Sequence, residues 1–302
     1  MTACTFQWEW RGRPVKVAYD TLGAGRPVLL LSAFSTVSSC QEMRPLAGYL
    51  AARGCNCMLV DWPGFGDSTR GRLGYGPPLY HHFLADFAAA VVPSGAAVVA
   101  AGHAASYALL LARDRAGVWS HAVLLAPTWR GPLPTAMGER PRAYAWVRGL
   151  VGMPVIGEAL YRLNTLRSVI GLMYRRHVYS EASRVTPAFV AKKQAVARRP
   201  GARFGSVAFV TGQLDPAPDR AAFLALFDPP PVPILIFCGN ATPRRSKAEM
   251  AALAERSGIH LRWVPGSLGL HEEYAHTIAD PIHRFVGAPA AESTGRQRRV
   301  PS

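Results

Sequence analysis

Short apolar runs alternate with longer stretches of helical periodicity along most of the chain. Six runs of four to six residues are typical of buried strands: Val28–Ser32, Cys57–Val60, Ala96–Ala101, Ala122–Ala126, Ile234–Cys238 and Leu261–Val264. Apolar spacing of three and four predicts intervening helices at Glu42–Arg53, Tyr80–Val91, Ala105–Arg113, Lys247–Arg256 and Glu273–Val286. Strands and helices that alternate in this way form a mostly parallel sheet with helices on both faces. The pattern therefore predicts a doubly covered α/β fold, in which ligands bind beyond the carboxyl ends of the strands.

The first twenty residues depart from this alternation. Phe6–Trp10 and Val15–Tyr19 read as two short strands on either side of the turn Arg11-Gly12-Arg13-Pro14. We expect them to form an antiparallel hairpin that opens the sheet.

A long helical segment between residues 129 and 228 also interrupts the alternation. It separates the predicted strand Ala122–Ala126 from Ile234–Cys238, so we expect it to be inserted as a cap over the carboxyl edge of the sheet. We call residues 129–228 the cap segment. The predicted organisation is a core of residues 1–128 and 229–287, the cap segment, and a basic tail of residues 288–302 that we expect to be disordered.

Positive charge is concentrated in the cap segment. The formal net charge of the chain is +15, and the stretch from Trp129 to Phe204 holds fourteen basic but only three acidic residues. Apolar anchors interleaved with arginines are what binding to an anionic membrane surface requires, with Arg162, Arg167, Arg175 and Arg176 as candidate contacts. The alternative is a set of helices that cover an apolar pocket and hold their arginines in water. Nucleic acid is a weaker candidate partner, because no recognised nucleic-acid module is present.

Other features exclude several classes of protein. No apolar stretch approaches the roughly 18 residues of a membrane span, and Met1 to Asp20 lacks the pattern of a secretory signal. We therefore expect a cytoplasmic protein, peripheral at a membrane if the cap segment binds lipid. The five cysteines lack framework spacing and are expected to be reduced structural thiols. No cofactor and no metal are expected.

One short motif carries most of the functional information. The apolar run that ends at Ala101 leads into Gly102-His103-Ala104-Ala105-Ser106, which matches the frame of a nucleophile elbow, G-x-S-x-G. In that frame the nucleophile position is Ala104. A methyl group can neither attack a carbonyl carbon nor be activated by a base, so acyl-enzyme chemistry is not available there.

A second motif supports a family resemblance. Val60-Asp61-Trp62-Pro63-Gly64-Phe65-Gly66-Asp67-Ser68 contains D-x-P-G-x-G-x-S, and it precedes the elbow at a suitable distance. In these two motifs and in the order of its strands, the chain resembles the α/β-hydrolase superfamily over residues 5–128 and 230–287. The resemblance implies an α/β-hydrolase fold. It does not extend to the cap segment, because none of the matched motifs lies there.

The resemblance also implies where catalytic residues would lie. The acid position falls on Thr242 in Gly239-Asn240-Ala241-Thr242, and threonine cannot supply the carboxylate that stabilises an imidazolium ion. The family's histidine falls on His271, which we regard as a candidate base. Backbone N–H groups of Phe34 and Ala105 would point into the pocket as oxyanion donors.

Several alternatives remain open at this point. Ser106 becomes the nucleophile if the elbow is displaced by two residues, although a place in the first turns of the helix is favoured, and Ala104 would also result from a Ser→Ala substitution. His103 is expected to pack under the turn. Surrogate acids are Asp61, Asp67 and Asp215, with Asp215 favoured as a helix cap.

The leading hypothesis is a catalytically impaired α/β-hydrolase-like protein that binds an apolar or amphipathic small molecule under a basic cap. The alternatives are an active hydrolase of ester-type substrates with an unassigned nucleophile, a cofactor-free lyase or oxygenase that uses His271 as base, and a purely structural or protein-interaction role.

Overall fold

The computed structural model describes residues 1–288, and the remainder of the predicted basic tail lies outside the described residues. Eight strands form one sheet in the order β1-β2-β4-β3-β5-β6-β7-β8. In chain order they are β1 (Thr2–Trp10), β2 (Arg13–Leu22), β3 (Arg26–Leu31), β4 (Cys55–Val60), β5 (Ala97–Ala101), β6 (Ala122–Leu125), β7 (Ile234–Gly239) and β8 (Ile259–Val264). Strands β3 to β8 pair in parallel with one another, whereas β2 pairs antiparallel with both β1 and β4. The predicted α/β fold is confirmed.

The predicted N-terminal hairpin is also present. Strands β1 and β2 pair antiparallel in a register that brings Trp10 opposite Arg13. The connecting residues Arg11 and Gly12 both have positive φ, 52° and 73°, which suits the right-handed twist of a two-residue hairpin. Both strands are longer than predicted, because their pairing extends to Thr2 and Thr21 and the end of β2 also pairs with β4.

Helices connect the core strands at the predicted positions. They are α1 (Arg44–Ala51), α2 (Pro77–Val91), α3 (Ala104–Asp114), then, after the cap segment, α11 (Arg244–Leu253), α12 (Leu270–Glu273) and α13 (Ala275–Gly287). A 3₁₀ turn at Cys40–Met43 precedes α1 and takes up the start of the helix predicted from Glu42. Pro45 is the second residue of α1, where its fixed φ suits the first turn of an α-helix.

The chain between β6 and β7 forms seven α-helices. They are α4 (Pro132–Met137), α5 (Pro141–Gly152), α6 (Pro154–Asn164), α7 (Arg167–Met173), α8 (Pro187–Ala197), α9 (Ala202–Val210) and α10 (Arg220–Ala225). Helices α5 and α6 approach closely at Gly157, where a Cβ atom would lie 2.1 Å from the carbonyl oxygen of Val151. No helix of residues 1–288 is long and apolar enough to cross a bilayer.

The loop after β4 is held by one buried carboxylate. The two oxygens of Asp61 accept the N–H groups of Cys40 and Asp67, each at 2.6 Å. A Cβ atom at Gly66 would lie 1.9 Å from the Asp61 carboxyl carbon, so this position of the D-x-P-G-x-G-x-S loop requires glycine. Burial raises the pKa of Asp61 to about 6, although both N–H donors act to lower it.

Candidate functional site

The sharp turn between β5 and α3 is made by Gly102. Its φ is +54°, and it directly follows Ala101, the last residue of β5. A nucleophile elbow holds its reactive residue on a strained strand-to-helix turn of this kind. The G-x-S-x-G motif places the nucleophile at Ala104. The residue with the positive φ is Gly102, two positions earlier.

Ala104 is the first residue of α3 and is fully buried. The N–H of Ala105, which was expected to point into a pocket, donates to the carbonyl oxygen of Gly102 at 3.2 Å. Ser106 is likewise fully buried in the first turn of α3, and its hydroxyl has no hydrogen-bond partner among the described residues. Ser106 therefore lies in the first turn of the helix, the place that the sequence favours, and its hydroxyl makes no hydrogen bond to the backbone of the described residues.

The loops after β3 and β6 meet at Gly102. A Cβ atom at this position would lie 3.1 Å from Ala33 Cβ and 3.5 Å from Thr128 Oγ1. Ala33 belongs to the β3 loop, in which the family places an oxyanion donor, and Thr128 follows β6. A short side chain at the turn would therefore contact both loops.

Phe34, the other expected oxyanion residue, packs its ring into an aromatic cluster. The ring stacks on Trp62 at 4.8 Å and meets Tyr80 edge-on at 4.7 Å, with Phe65 and Tyr107 at 5.4 and 5.7 Å. Burial of such rings, together with their edge-to-face contacts, stabilises the fold. The side chain of Phe34 thus joins the β3 loop to the loop after β4.

His103 makes two hydrogen bonds that the sequence did not suggest. Its Nδ1 lies 2.9 Å from Thr128 Oγ1, and its Nε2 lies 3.1 Å from Asp215 Oδ1. The second oxygen of Asp215 accepts the N–H of Gly131 at 3.0 Å. His103 is 3% exposed, as expected for a residue under the turn. Helix capping by Asp215 was a wrong expectation, because the side chain that caps α10 is that of Asp219.

His271 lies in a different cluster. Its Nε2 is 3.5 Å from Glu42 Oε2, and its Nδ1 has no partner among the described residues. Lys193 of α8 is 2.9 Å from Glu272 and 3.7 Å from Glu42, so the cluster joins the cap segment to the core. Burial alone would lower the pKa of Lys193, but the two carboxylates outweigh it and the pKa is raised.

Thr242 follows β7 and is buried, with a hydroxyl that has no partner among the described residues. The structure shows no hydrogen bond or ion pair among Ala104, Thr242 and His271 within residues 1–288. The three positions that the resemblance assigned to a catalytic triad are therefore not hydrogen-bonded to one another. Lys193 and Glu42 could not be found from sequence, because no motif marks either residue.

A cavity of about 340 Å³ lies near the carboxyl ends of β6 and β7. Its wall includes residues of the β6 loop, the cap segment and α11: Pro127, Thr128, Trp129, Arg130, Thr135, Arg245, Ser246, Ala248 and Glu249. Arg130 pairs with Glu139, and Glu249 with Arg220. Arg245 donates to the backbone carbonyls of Thr135 and Ala136 and contacts no carboxylate among the described residues.

The four arginines proposed from sequence lie on the exposed surface of the cap segment. Arg162 pairs with Glu158 at 2.9 Å, and Arg167 bonds Gln194 at 3.1 Å. Arg175 donates to the carbonyl of Val185, whereas Arg176 has no hydrogen-bond partner among residues 1–288. Within the described part of the chain, three of the four arginines therefore have no acidic partner.

The profile of the alpha/beta hydrolase family matches residues 28–286, most of the chain, and the protein belongs to this family. No curated protein matches the sequence. Three solved structures illustrate the shared fold. Bromoperoxidase from Bacillus anthracis is 14% identical, with a TM-score of 0.69 over 94% of this chain and 100% of that chain. A thermophilic esterase from Thermogutta terrifontis is 15% identical, with a TM-score of 0.67 over 95% and 98%. The haloalkane dehalogenase DatA from Agrobacterium tumefaciens C58 is 16% identical, with a TM-score of 0.64 over 94% and 96%.

Proposed function

We propose that this family member does not use the family's nucleophile and acid positions and that it binds an amphipathic small molecule. The observation that carries the proposal is the turn after β5. Gly102 has the backbone conformation of the elbow residue and Ala104 has its place in the sequence frame, and neither offers a hydroxyl, thiol or carboxylate. Thr242 at the acid position offers no carboxylate. A nucleophile cannot be supplied from either position.

The cavity at the ends of β6 and β7 supports the binding of a ligand. Its volume of about 340 Å³ is near the lower end of the range of small-molecule sites, roughly 300 to 1,000 Å³. The carboxyl edge of a parallel sheet is also where α/β folds bind their ligands. Trp129 offers an apolar surface, and Arg245 offers a cation without a carboxylate partner among the described residues. This combination favours a small molecule with an apolar body and an anionic group.

Calorimetric titration with 1-naphthaleneacetate, an aromatic carboxylate of suitable size, tests this proposal. We expect saturable binding that Arg245→Met weakens by at least about tenfold, since a lost charge-assisted hydrogen bond is worth roughly 1.5 to 3 kcal/mol. Arg244→Met is the matched control, because Arg244 is exposed and does not line the cavity. Absence of binding, or equal weakening by both substitutions, would contradict the proposal.

A second function, attachment to an anionic membrane surface, is supported by the exposed side of the cap segment. Helix α6 buries Gly157 and Tyr161 but exposes Val155 and Ile156, and on the same side Leu160 and Leu163. Val155 is 81% exposed and Leu163 is 60% exposed. A surface helix ordinarily exposes polar residues, so this inverted pattern favours a partner for the apolar face.

The nature of the partner follows from the neighbouring charges. Arg162 lies on α6 itself, and Arg167, Arg175 and Arg176 follow in and just after α7. Two copies of the protein that met through this surface would bring like charges together. An acidic bilayer instead attracts each basic residue near its surface by about 1 kcal/mol and accepts the apolar side chains.

Vesicle sedimentation tests this second function. We expect binding to vesicles of phosphatidylcholine with phosphatidylglycerol, weaker binding at high salt, and none to phosphatidylcholine alone. Reversal of Arg162, Arg167, Arg175 and Arg176 to Glu should abolish binding. The control variant reverses four exposed basic residues of the core and has the same net charge: Lys16, Arg244, Arg262 and Arg284. It should weaken vesicle binding less than reversal of the four cap arginines. Equal loss in both variants would indicate attraction by net charge alone, and concentration-dependent dimers that dissociate on reversal would favour a second copy.

A further inference from the structure

Thr128, His103 and Asp215 form a chain of hydrogen bonds beside the turn at Gly102. The Thr128 hydroxyl and the Asp215 carboxylate lie at opposite nitrogens of the His103 ring, at 2.9 and 3.1 Å. The other carboxylate oxygen of Asp215 accepts a hydrogen bond from the Gly131 N–H, which orients the carboxylate. A hydroxyl that is bonded to an imidazole, which is itself oriented by a third group, is the arrangement that activates a nucleophile.

The position of the Thr128 hydroxyl is as informative as its partners. It lies 3.5 Å from the place where a Cβ atom at Gly102 would stand. A side chain at the elbow would therefore contact the Thr128 hydroxyl, which belongs to the loop after β6. Thr128 also lines the cavity, so the chain of hydrogen bonds ends at a space that can hold a small molecule.

A backbone donor is also available next to Thr128. In this family the N–H of the residue after the nucleophile forms part of the oxyanion hole. Trp129 takes that place after Thr128, and among the described residues its N–H has no hydrogen-bond acceptor. The Thr128 N–H is used differently, since it donates to the carbonyl oxygen of Gly102 at 3.3 Å.

We infer that Thr128 is a catalytic nucleophile for carboxylic esters bound in this cavity, with His103 as general base and Asp215 as positioning residue. The inference rests on the ligand site proposed above. Thr128 Oγ1 attacks the ester carbonyl carbon, and its proton passes to His103 Nδ1 while Nε2–H donates to Asp215. The tetrahedral intermediate expels the alcohol, which takes the proton from Nδ1. Water, deprotonated by His103, then cleaves the acyl-threonine to release the carboxylic acid and restore the hydroxyl.

The experiment measures hydrolysis of 4-nitrophenyl acetate and butyrate and locates the acyl group by mass spectrometry of the quenched protein. We expect Thr128→Val to lower kcat/KM by at least about 100-fold and to abolish acylation of the peptide that contains position 128. Thr128→Ser should retain both, because the hydroxyl is conserved. Asp215→Asn should lower kcat far more than it changes KM. Thr165→Val is the control, since the Thr165 hydroxyl bonds the carbonyl of Tyr161 at the end of α6 and Thr165 does not line the cavity.

Three results would overturn the inference. They are hydrolysis by the wild-type protein no faster than by the Thr128→Val variant, acylation at another residue, and loss of activity in Thr128→Val that Thr128→Ser fails to restore. Binding of 1-naphthaleneacetate separates the two proposals. If the wild-type protein binds this carboxylate but hydrolyses neither ester, the ligand site is supported and the inference about Thr128 is contradicted. If it does not bind the carboxylate, the proposed function itself is contradicted.

Discussion

The core and the cap segment treat their apolar side chains in opposite ways. Of the thirteen large apolar side chains exposed among the described residues, only Met1, Tyr49 and Trp263 belong to the core. The ten in the cap segment are Met137, Trp146, Met153, Val155, Ile156, Leu160, Leu163, Leu166, Leu172 and Met173. The core places its apolar residues where they stabilise the fold, whereas the cap segment keeps many of them in contact with solvent. This exposed apolar surface is the feature on which the proposed attachment to a membrane rests.

The core and the cap segment also differ in where their charged groups lie. In the core, Asp61 is buried and organises a loop through backbone N–H groups. In the cap segment most charge is exposed, whereas the Lys193 ammonium group is buried between Glu42 and Glu272 of the core. The cap segment therefore has two different sides, an inner side that contacts the core and an outer side that is exposed to solvent.

The largest expected effect concerns this inner side. Lys193→Met should lower the free energy of unfolding by about 3 to 5 kcal/mol, because the buried Glu42 and the partly buried Glu272 would remain without their cation. Lys192→Met is the matched control, since Lys192 is exposed on the same helix and should change stability little. Urea denaturation measures both. A similar effect of the two substitutions would mean that the buried cluster does not hold the cap segment.

Asp61 gives a second test, through pH. Burial raises the pKa of the folded carboxyl to about 6, above the ordinary value of 3.8. Between these values the folded state binds more protons than the unfolded state, so the contribution of Asp61 to stability falls as pH rises, by about 3 kcal/mol in total.

Asp61→Asn removes this titration. The wild-type protein should therefore lose stability relative to the variant between about pH 4 and pH 6, as measured by urea denaturation across that range. A constant difference between the two proteins would contradict the raised pKa.

Gly102 provides a smaller effect in the core. Gly102→Ala forces an alanine into φ +54° and brings its Cβ to 3.1 Å from Ala33, and we expect a loss of about 1 to 3 kcal/mol. Gly117→Ala introduces alanine at φ +78°, where no atom lies within 4 Å of the new Cβ. Its loss of stability therefore measures the cost of the positive φ without a steric clash. Thermal unfolding should rank the two variants in that order. The reverse order would show that the β3 loop yields to the added methyl group.

The smallest effect on stability is expected at the outer side of the cap segment. Val155→Ser and Leu163→Ser should each change the free energy of unfolding by less than about 0.5 kcal/mol, because both side chains are already exposed. The same substitutions should weaken binding to anionic vesicles several-fold, whereas Tyr49→Ser on the core should not. Strong destabilisation by either cap substitution would remove the distinction between the inner and outer sides.

Much of the fold could be predicted from local pattern. Each predicted strand and each predicted core helix is present, with boundaries that differ by a few residues, because apolar spacing reflects which face of an element is buried. The helix predicted from Glu42 begins instead with a 3₁₀ turn, since Pro45 sets the start of α1. The excess of arginine in the cap segment was equally visible, since composition requires no knowledge of contacts.

The candidate site could be predicted only in part. A motif gives the order of residues but not their backbone conformation, and for this reason the frame pointed to Ala104 while Gly102 has the positive φ. Thr128 and Asp215 were not identified as partners of His103, because they are 25 and 112 residues away along the chain.

The sequence by itself determined the fold class, the family and the absence of a nucleophile in the elbow frame, because these depend on residue types and on spacing within short segments. Only the tertiary structure decided which side chains meet: Thr128 with His103, Lys193 with Glu42, and the apolar face of α6 with solvent. The physical reason is that hydrogen bonds and ion pairs depend on distances of a few ångströms between residues that are remote in the chain. Such distances are set when the sheet and the cap segment pack together.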